Sequence, residues 1–151
     1  MISEFNGEYR FLSNFYPSKI IYDGIEYPSV EYAFQALKTF DIEMRKTISK
    51  LSTPGIAKRY GKILILRDDW EDVKFQIMEN CLRLKFHNGS ELAKKLVDTY
   101  PSNLVEGNVW HDNIWGSCSC KKCLQLPSFN NLGKLLMKIR EELVPEENRL
   151  I

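Results

Sequence analysis

Glu31, Gln35 and Lys38 bring an acid, an amide and an amine into one short run, Ser29-Val30-Glu31-Tyr32-Ala33-Phe34-Gln35-Ala36-Leu37-Lys38. A spacing of seven residues is about two helical turns, so on a helix Glu31 and Lys38 share one stripe, with Gln35 between them. Val30, Ala33, Phe34 and Leu37 form the neighbouring apolar stripe that buries such a helix. A second acid, Asp112, stands in a polar and aromatic cluster, Trp110-His111-Asp112-Asn113-Ile114-Trp115-Gly116. Paired carboxylates serve proton transfer, and a lysine that loses its proton is a nucleophile. The same spacing equally suits a solvated polar face in which Glu31 and Lys38 form a structural ion pair, and the pattern leaves both readings open.

The elements that must hold these residues follow from turn and cap signals. Phe5 to Phe11 reads as a short strand, followed by the turn-rich Leu12-Ser13-Asn14-Phe15-Tyr16-Pro17. Lys19 to Tyr22 and Ile25 to Tyr27 flank Asp23-Gly24, a hairpin signal because a type I′ turn needs positive φ at both central residues. Ser29 is placed to cap the Glu31 helix. A second helix spans about Asp41 to Ser52, and Thr53-Pro54 opens a short one ending before Gly61. Ile63 to Leu66 carries no firm assignment. Asp68-Asp69 opens the longest helix, in which Trp70, Val73, Ile77, Cys81 and Leu84 recur at helical spacing until His87-Asn88-Gly89. Ser90 starts another helix through Val97, and Leu104 to Glu106 reads as a short strand. From Asn131 a last amphipathic helix presents Leu132, Leu135, Leu136, Ile139 and Leu143. The predicted fold is α+β and mostly helical, one domain over residues 1–151 with a small antiparallel sheet.

Composition sets the class. The chain has 151 residues, 44% hydrophobic and 27% charged, which suits one globular domain. A net charge of +1 disfavours a nonspecific nucleic-acid coat, though not a specific base site. Met1-Ile2-Ser3-Glu4-Phe5-Asn6 has neither the basic nor the apolar region of an export signal, and no stretch approaches the roughly 20 apolar residues of a membrane span. A soluble, cytoplasmic protein is expected, and oligomeric state is not legible. Cys118, Cys120 and Cys123 form a C-x-C-x2-C cluster that could hold zinc if His111 or the distant Cys81 supplied a fourth ligand. The usual second ligand pair is absent, so reduced, partly buried thiols are expected, with no metal and no cofactor assigned.

Several segments together resemble one family. Phe11-Leu12-Ser13-Asn14-Phe15-Tyr16-Pro17, Tyr27-Pro28 leading into the Ser29 to Lys38 run, Arg67-Asp68-Asp69-Trp70, Leu104-Val105-Glu106-Gly107-Asn108, the Trp110 to Gly116 cluster and Asn131-Leu132-Gly133-Lys134-Leu135-Leu136-Met137 resemble the NADAR family, in family order. The resemblance runs from about Phe5 to Glu142 and implies a YbiA-like fold. It also implies hydrolysis of an N-glycosidic bond to a phosphorylated ribose. In YbiA-like members the substrates are riboflavin-pathway intermediates, aminopyrimidines on ribose phosphate; other members remove ADP-ribose from guanine in DNA. The family pattern places active-site residues at positions matching Glu31, Trp70, Asp112 and Trp115.

Cleavage of a ribosyl C–N bond passes through an oxocarbenium-like centre, which calls for negative charge near C1 and a proton for the departing nitrogen. On this reading Glu31 is the acid/base and Asp112 orients water or ribose hydroxyls. Lys38 offers a second route through a Schiff base with opened ribose. Trp70 and Trp115 could stack on the base, although the helical spacing of Trp70 by itself reads as core. Arg10, Arg59 and Lys58 are placed for phosphate contacts or for surface solvation, and Asn14 for a base edge or for turn building. His111 reads as an acid or as a loop-fixed side chain, and Trp110 as packing. No Gly-rich phosphate loop or Ser-His-Asp order is present, which argues against a triphosphatase or acyl hydrolase. The competing classes are a noncatalytic ADP-ribose or NAD-binding module and a zinc-stabilised interaction domain.

Overall fold

Asp23 and Gly24 have φ of 48° and 80°, both positive as the type I′ turn demands. They join β1 (Ile20–Tyr22) to β2 (Ile25–Tyr27) in an antiparallel hairpin that pairs Ile20 with Tyr27 and Tyr22 with Ile25. The computed structural model describes residues 1–150. It divides the chain into two units, Asn14–Lys85 and Met1–Ser13 together with the chain from Phe86 onward.

In the Asn14–Lys85 unit the hairpin feeds α1 (Val30–Ala36), and every residue of this helix is buried. Seven residues are far too few to hold a helix in water, so its stability comes from neighbours. These are α2 (Ile42–Ser49), α3 (Pro54–Gly61) and α4 (Trp70–Lys85), all of which pack against it. Asp41 caps α2 by accepting from the Met44 amide, and Thr53 caps α3 by accepting from Ile56. Ser29 holds the N-cap backbone position of α1, but its hydroxyl makes no cap bond. The Glu31 amide donates instead to the Asn14 carbonyl at 3.0 Å, so a nonlocal acceptor takes the role expected of the serine.

The shared stripe expected for Glu31 and Lys38 also needs correction. Helix α1 ends at Ala36, and the amides of Lys38 and Thr39 donate three residues back, to Gln35 and Ala36, at 3.3 Å. Lys38 therefore sits on a tightened turn beyond the helix. On α4 the buried set is Trp70, Ile77, Met78, Cys81, Leu82 and Lys85, whereas Leu84 is exposed. The segment between α3 and α4 forms no strand, and Ile63 and Ile65 stand in solvent.

In the other unit, the Phe5 to Phe11 segment is not a strand. Gly7 has φ of 56° and opens a 3₁₀ turn over Gly7–Leu12. Phe5 before the turn and Phe11 and Leu12 at its end are buried, which is not the alternation that a half-buried strand requires. Helix α5 (Glu91–Asp98), capped by Ser90 on the Ala93 amide, packs against α6 (Asn131–Leu143). Leu132, Leu136 and Ile139 on α6 are buried, while Leu135 and Leu143 are half-buried. Buried Arg140 ties α6 to the end of α5, donating to the Thr99 hydroxyl at 3.0 Å and the Ser102 carbonyl at 2.7 Å. Of the strand expected at Leu104, only a parallel bridge to Ile2 forms. A short parallel pair does occur, β3 (Gly107–Asn108) with β4 (Ser117–Cys118), which aligns Asn108 with Cys118. The fold is α+β and mostly helical with a small antiparallel hairpin, as the sequence predicts. No helix among the described residues is long and apolar enough to cross a membrane.

Helix α3 backs α1 closely: a Cβ on Gly61 would collide with the Gln35 side-chain oxygen, whereas one on Gly55 would meet only the Thr53 hydroxyl at 3.9 Å. Gly61→Ala is expected to destabilise the protein by about 1–3 kcal/mol. Gly55→Ala on the same helix should be neutral or stabilising by up to about 1 kcal/mol. Urea denaturation midpoints of the two variants check both signs.

Candidate functional site

Glu31 is only 7% exposed, an unusual environment for a carboxylate. One turn along α1, Gln35 donates its amide N–H to Glu31 Oε1 at 2.8 Å. An ionised carboxylate accepts only, so this bond fixes which end of the amide faces it. The other end of Gln35 rests on Gly61. Asn14 meets the same helix terminus through its carbonyl, and its Nδ2 donates to the Met78 sulfur at 3.5 Å. Asn14 Oδ1 is buried without a protein donor, which leaves an acceptor for an N–H or O–H group.

Lys38 enters this region from the turn after α1. Its ammonium lies 5.8 Å from the Phe34 ring centre and 5.9 Å from that of Trp70. The two rings are 5.1 Å apart and tilted by 57°. The ammonium thus stands over a pair of touching aromatic rings, a favourable arrangement for the charged form. Burial nevertheless lowers the Lys38 pKa below its usual value; the Glu31 charge opposes that shift, and Lys58, Lys62 and Lys74 add to it. A lysine so placed keeps a larger neutral fraction near neutrality and is a better nucleophile.

Arg67 secures the backbone here. Its amide donates to the Lys38 carbonyl at 2.8 Å and its guanidinium reaches the Leu37 carbonyl at 3.4 Å. The same guanidinium grips Asp69 with two bonds, of 2.6 and 3.0 Å, just before α4 and Trp70. That hydrogen-bonded pairing holds the Asp69 carboxyl below the usual carboxylate range. Arg67 is thus a positioning residue that spacing could not identify, because its partners lie about thirty residues upstream.

Glu31, Lys38, Trp70 and Asn14 therefore come together in the Asn14–Lys85 unit, with Gln35 and Phe34 as their supports. Trp70 is buried and also faces Lys38, so core and site are not alternatives for this ring. Arg59 is exposed on α3 and is not among the cations that act on Lys38, which are its neighbours Lys58 and Lys62 together with Lys74. A second depressed lysine, Lys85, is buried and pushed down to about 7 by desolvation, with its ammonium 5.7 Å from the Tyr16 ring. Sequence pattern alone carried no sign of it.

Arg10, Asp112 and Trp115 belong to the other unit. Arg10 is exposed on the 3₁₀ turn. Asp112 organises its own loop: Oδ1 accepts from the amides of Ile114 at 3.2 Å and Trp115 at 2.9 Å. Asn108 braces the same loop, accepting from the amides of Trp110 and Asp112 and donating to the Asp112 carbonyl. Trp115 is half-buried, and its carbonyl receives the first amide of α6 beyond Asn131, that of Leu132. Trp110, expected to pack, is 57% exposed. His111 is held by the loop backbone at φ of 70° and lies beside the cysteine cluster.

With this geometry in place, comparisons with known proteins are consistent with one another. The NADAR domain profile matches residues 3–144. N-glycosidase YbiA of Escherichia coli (strain K12) is 39% identical over 142 residues, covering 93% of this chain and 85% of that protein. N-glycosidase Npun_R5314 of Nostoc punctiforme is 34% identical over 140 residues, 89% of this chain and 86% of its own. The riboflavin biosynthesis protein VVA0006 of Vibrio vulnificus is 32% identical over 135 residues, 88% of this chain but 35% of that longer protein. The NMR structure of E. coli YbiA superposes with a TM-score of 0.76 at 36% identity, covering 95% of this chain and 86% of that one.

The lowered Lys38 pKa and its partial exposure have a chemical signature. Under trace acetylation near neutral pH, Lys38 is expected to modify several-fold faster than surface lysines such as Lys94, because more of it is unprotonated. Lys85 should resist despite its low pKa, since it is sealed from reagent. Peptide mass spectrometry at low labelling checks the order, and uniform labelling would refute it.

Proposed function

From the chain's membership of the NADAR family, we propose that it is an N-glycosidase that hydrolyses the bond between a heterocyclic base and a phosphorylated ribose. The substrate class is an aminopyrimidine ribose phosphate of riboflavin biosynthesis, in line with the Vibrio vulnificus relative, a riboflavin biosynthesis protein. The observation that carries this reading is the buried Glu31–Gln35 pair beside Lys38, Phe34 and Trp70.

The chemistry follows from those groups. Glu31 delivers a proton to the departing nitrogen and its carboxylate form balances positive charge growing at C1. Gln35 keeps the acceptor oriented. Trp70 offers a π-face to base or ribose. Asp112 and Trp115 carry over from the family motif, Asp112 to orient water or ribose hydroxyls and Trp115 to stack on the base. Asn14 is assigned to a base edge, and Arg10 and Arg59, with Lys58 and Lys62, to the phosphate. The lowered Lys38 pKa favours a covalent variant of the same reaction. Its neutral amine adds to C1 of the opened ribose, the base leaves with a proton, and water hydrolyses the imine to release ribose phosphate and lysine. We place residues 1–151 in one NADAR domain, in the cytoplasm, where free cysteines stay reduced.

The decisive assay offers the purified protein a 5-amino-6-ribosylamino-pyrimidinedione phosphate and, separately, DNA carrying ADP-ribosylated guanine. Release of ribose phosphate from the first supports the proposal. Release from DNA alone moves the substrate to the nucleic acid, and intact recovery of both moves the protein to a binding module. Glu31→Gln should fold normally and lose about 10³-fold in kcat. Asp112→Asn keeps an oxygen for the Ile114 and Trp115 amides but removes the charge, so a fall of about 10²-fold marks a chemical role, and wild-type turnover confines Asp112 to loop building. Borohydride added during turnover should trap a sugar on Lys38; no adduct, with full turnover by Lys38→Ala, eliminates the covalent route.

A further inference from the structure

The loop that carries Asp112 and Trp115 also carries a cluster the glycosidase chemistry does not use. The side-chain ligand atoms of His111, Cys118, Cys120 and Cys123 all lie within 4.8 Å of one another. His111 Nδ1 is 3.3 Å from Cys120 Sγ and 3.4 Å from Cys123 Sγ. Around tetrahedral zinc, with Zn–S near 2.3 Å and Zn–N near 2.0–2.1 Å, ligand-to-ligand edges are about 3.5 Å for N to S and about 3.8 Å for S to S. The observed separations approach those edges.

The supporting shell fits as well. The His111 amide donates to Cys118 Sγ at 3.3 Å, the kind of outer bond that steadies a thiolate ligand. The Cys118 amide is held by Asn113 Oδ1 at 2.9 Å. Cys118 and Cys123 are buried, Cys120 is half-buried and His111 stands at the surface, so thiolates line the inside and the imidazole closes the outside. The backbone of His111 adopts a left-handed conformation, uncommon outside glycine though histidine tolerates it better than most, and its ring nitrogen lies against the cysteine sulfurs. All four cysteines of the chain are free, and Cys81 lies in the other unit.

We propose that His111, Cys118, Cys120 and Cys123 form a closed Cys₃His zinc site whose role is to fix the loop bearing Asp112 and Trp115. Soft thiolates with one imidazole in a tetrahedral arrangement select zinc over harder cations. Four protein ligands leave no open position, so the ion is structural and the catalytic groups are those already assigned. Of the two fourth ligands the sequence leaves open, His111 and Cys81, the structure selects His111: β3–β4 pairing sets Asn108 beside Cys118, and the loop between returns His111 to the cysteines.

The test is metal analysis of the whole protein, independent of any glycosidase assay. Protein purified under reducing, chelator-free conditions should contain equimolar zinc. Cobalt substitution should show thiolate charge-transfer and tetrahedral d–d absorption. Cys118→Ser or Cys123→Ser should lose most of the metal, His111→Ala should bind it at least tenfold more weakly, and Cys81→Ala should retain it. Stripping zinc from the wild type should speed limited proteolysis between residues 109 and 128. Metal-free protein that takes up neither zinc nor cobalt when reduced overturns the proposal, as does iron in place of zinc or a disulfide within the cluster. Full zinc with unchanged proteolysis after stripping overturns the loop-fixing role.

Discussion

A carboxylate inside a helix core is the constraint around which the Asn14–Lys85 unit is built. Glu31 is shielded from water, and an acid in that position must be satisfied by nearby donors. Gln35 supplies one from the same helix, and Gln35 can reach it only because Gly61 on α3 has no side chain. The helix start is closed by Asn14, a residue outside the helix altogether. Loss of any one of these supports leaves a polar group stranded in the interior, so the placement of the acid and the packing of α1, α3 and α4 are one problem.

Lys38 adds a second electrostatic tension. Aromatic faces and Glu31 favour its charged form, while burial and the lysines of α3 and α4 oppose it. The net effect of burial lowers the Lys38 pKa, so more of the amine is neutral than in an exposed lysine. Arg67 makes the balance possible by pinning the turn through main-chain bonds while Asp69 occupies its guanidinium. The precision resides in backbone contacts, which is why a short turn can hold the Lys38 side chain in place without a helix beneath it.

The other unit solves a different problem, the ordering of a loop rich in polar groups. From β3 to α6 the chain has little regular structure; the amides of Trp110, Asp112, Ile114, Trp115 and Cys118 go to the side chains of Asn108, Asp112 and Asn113, and those further on go mainly to main-chain carbonyls. Asn130 continues the pattern, accepting from the Glu106 amide and donating to the Leu104 carbonyl. A Cβ on Gly116 would strike the Glu106 carbonyl, so the loop closes tightly on itself. Side chains that could act on a substrate thus also build the scaffold, and the two roles separate only by substitutions that keep shape and change charge.

Local chemistry alone determined much of this protein. Asp23-Gly24 specifies its turn because few residues tolerate positive φ, and Asp41, Thr53 and Ser90 mark helix starts because their oxygens reach amides two or three residues on. The family motifs singled out Glu31 and Trp70 as candidates without any coordinates. Tertiary structure decided whatever depends on partners far along the chain. Phe5 to Phe11 lost its apparent strand to a left-handed Gly7, and Ser29 lost its cap to Asn14. Lys38 gained its aromatic enclosure from Trp70, Arg67 gained its strap from Leu37, and His111 met three cysteines through strand pairing. Short-range bonds are written in consecutive residues, whereas burial and long-range electrostatics arise only once separate segments converge.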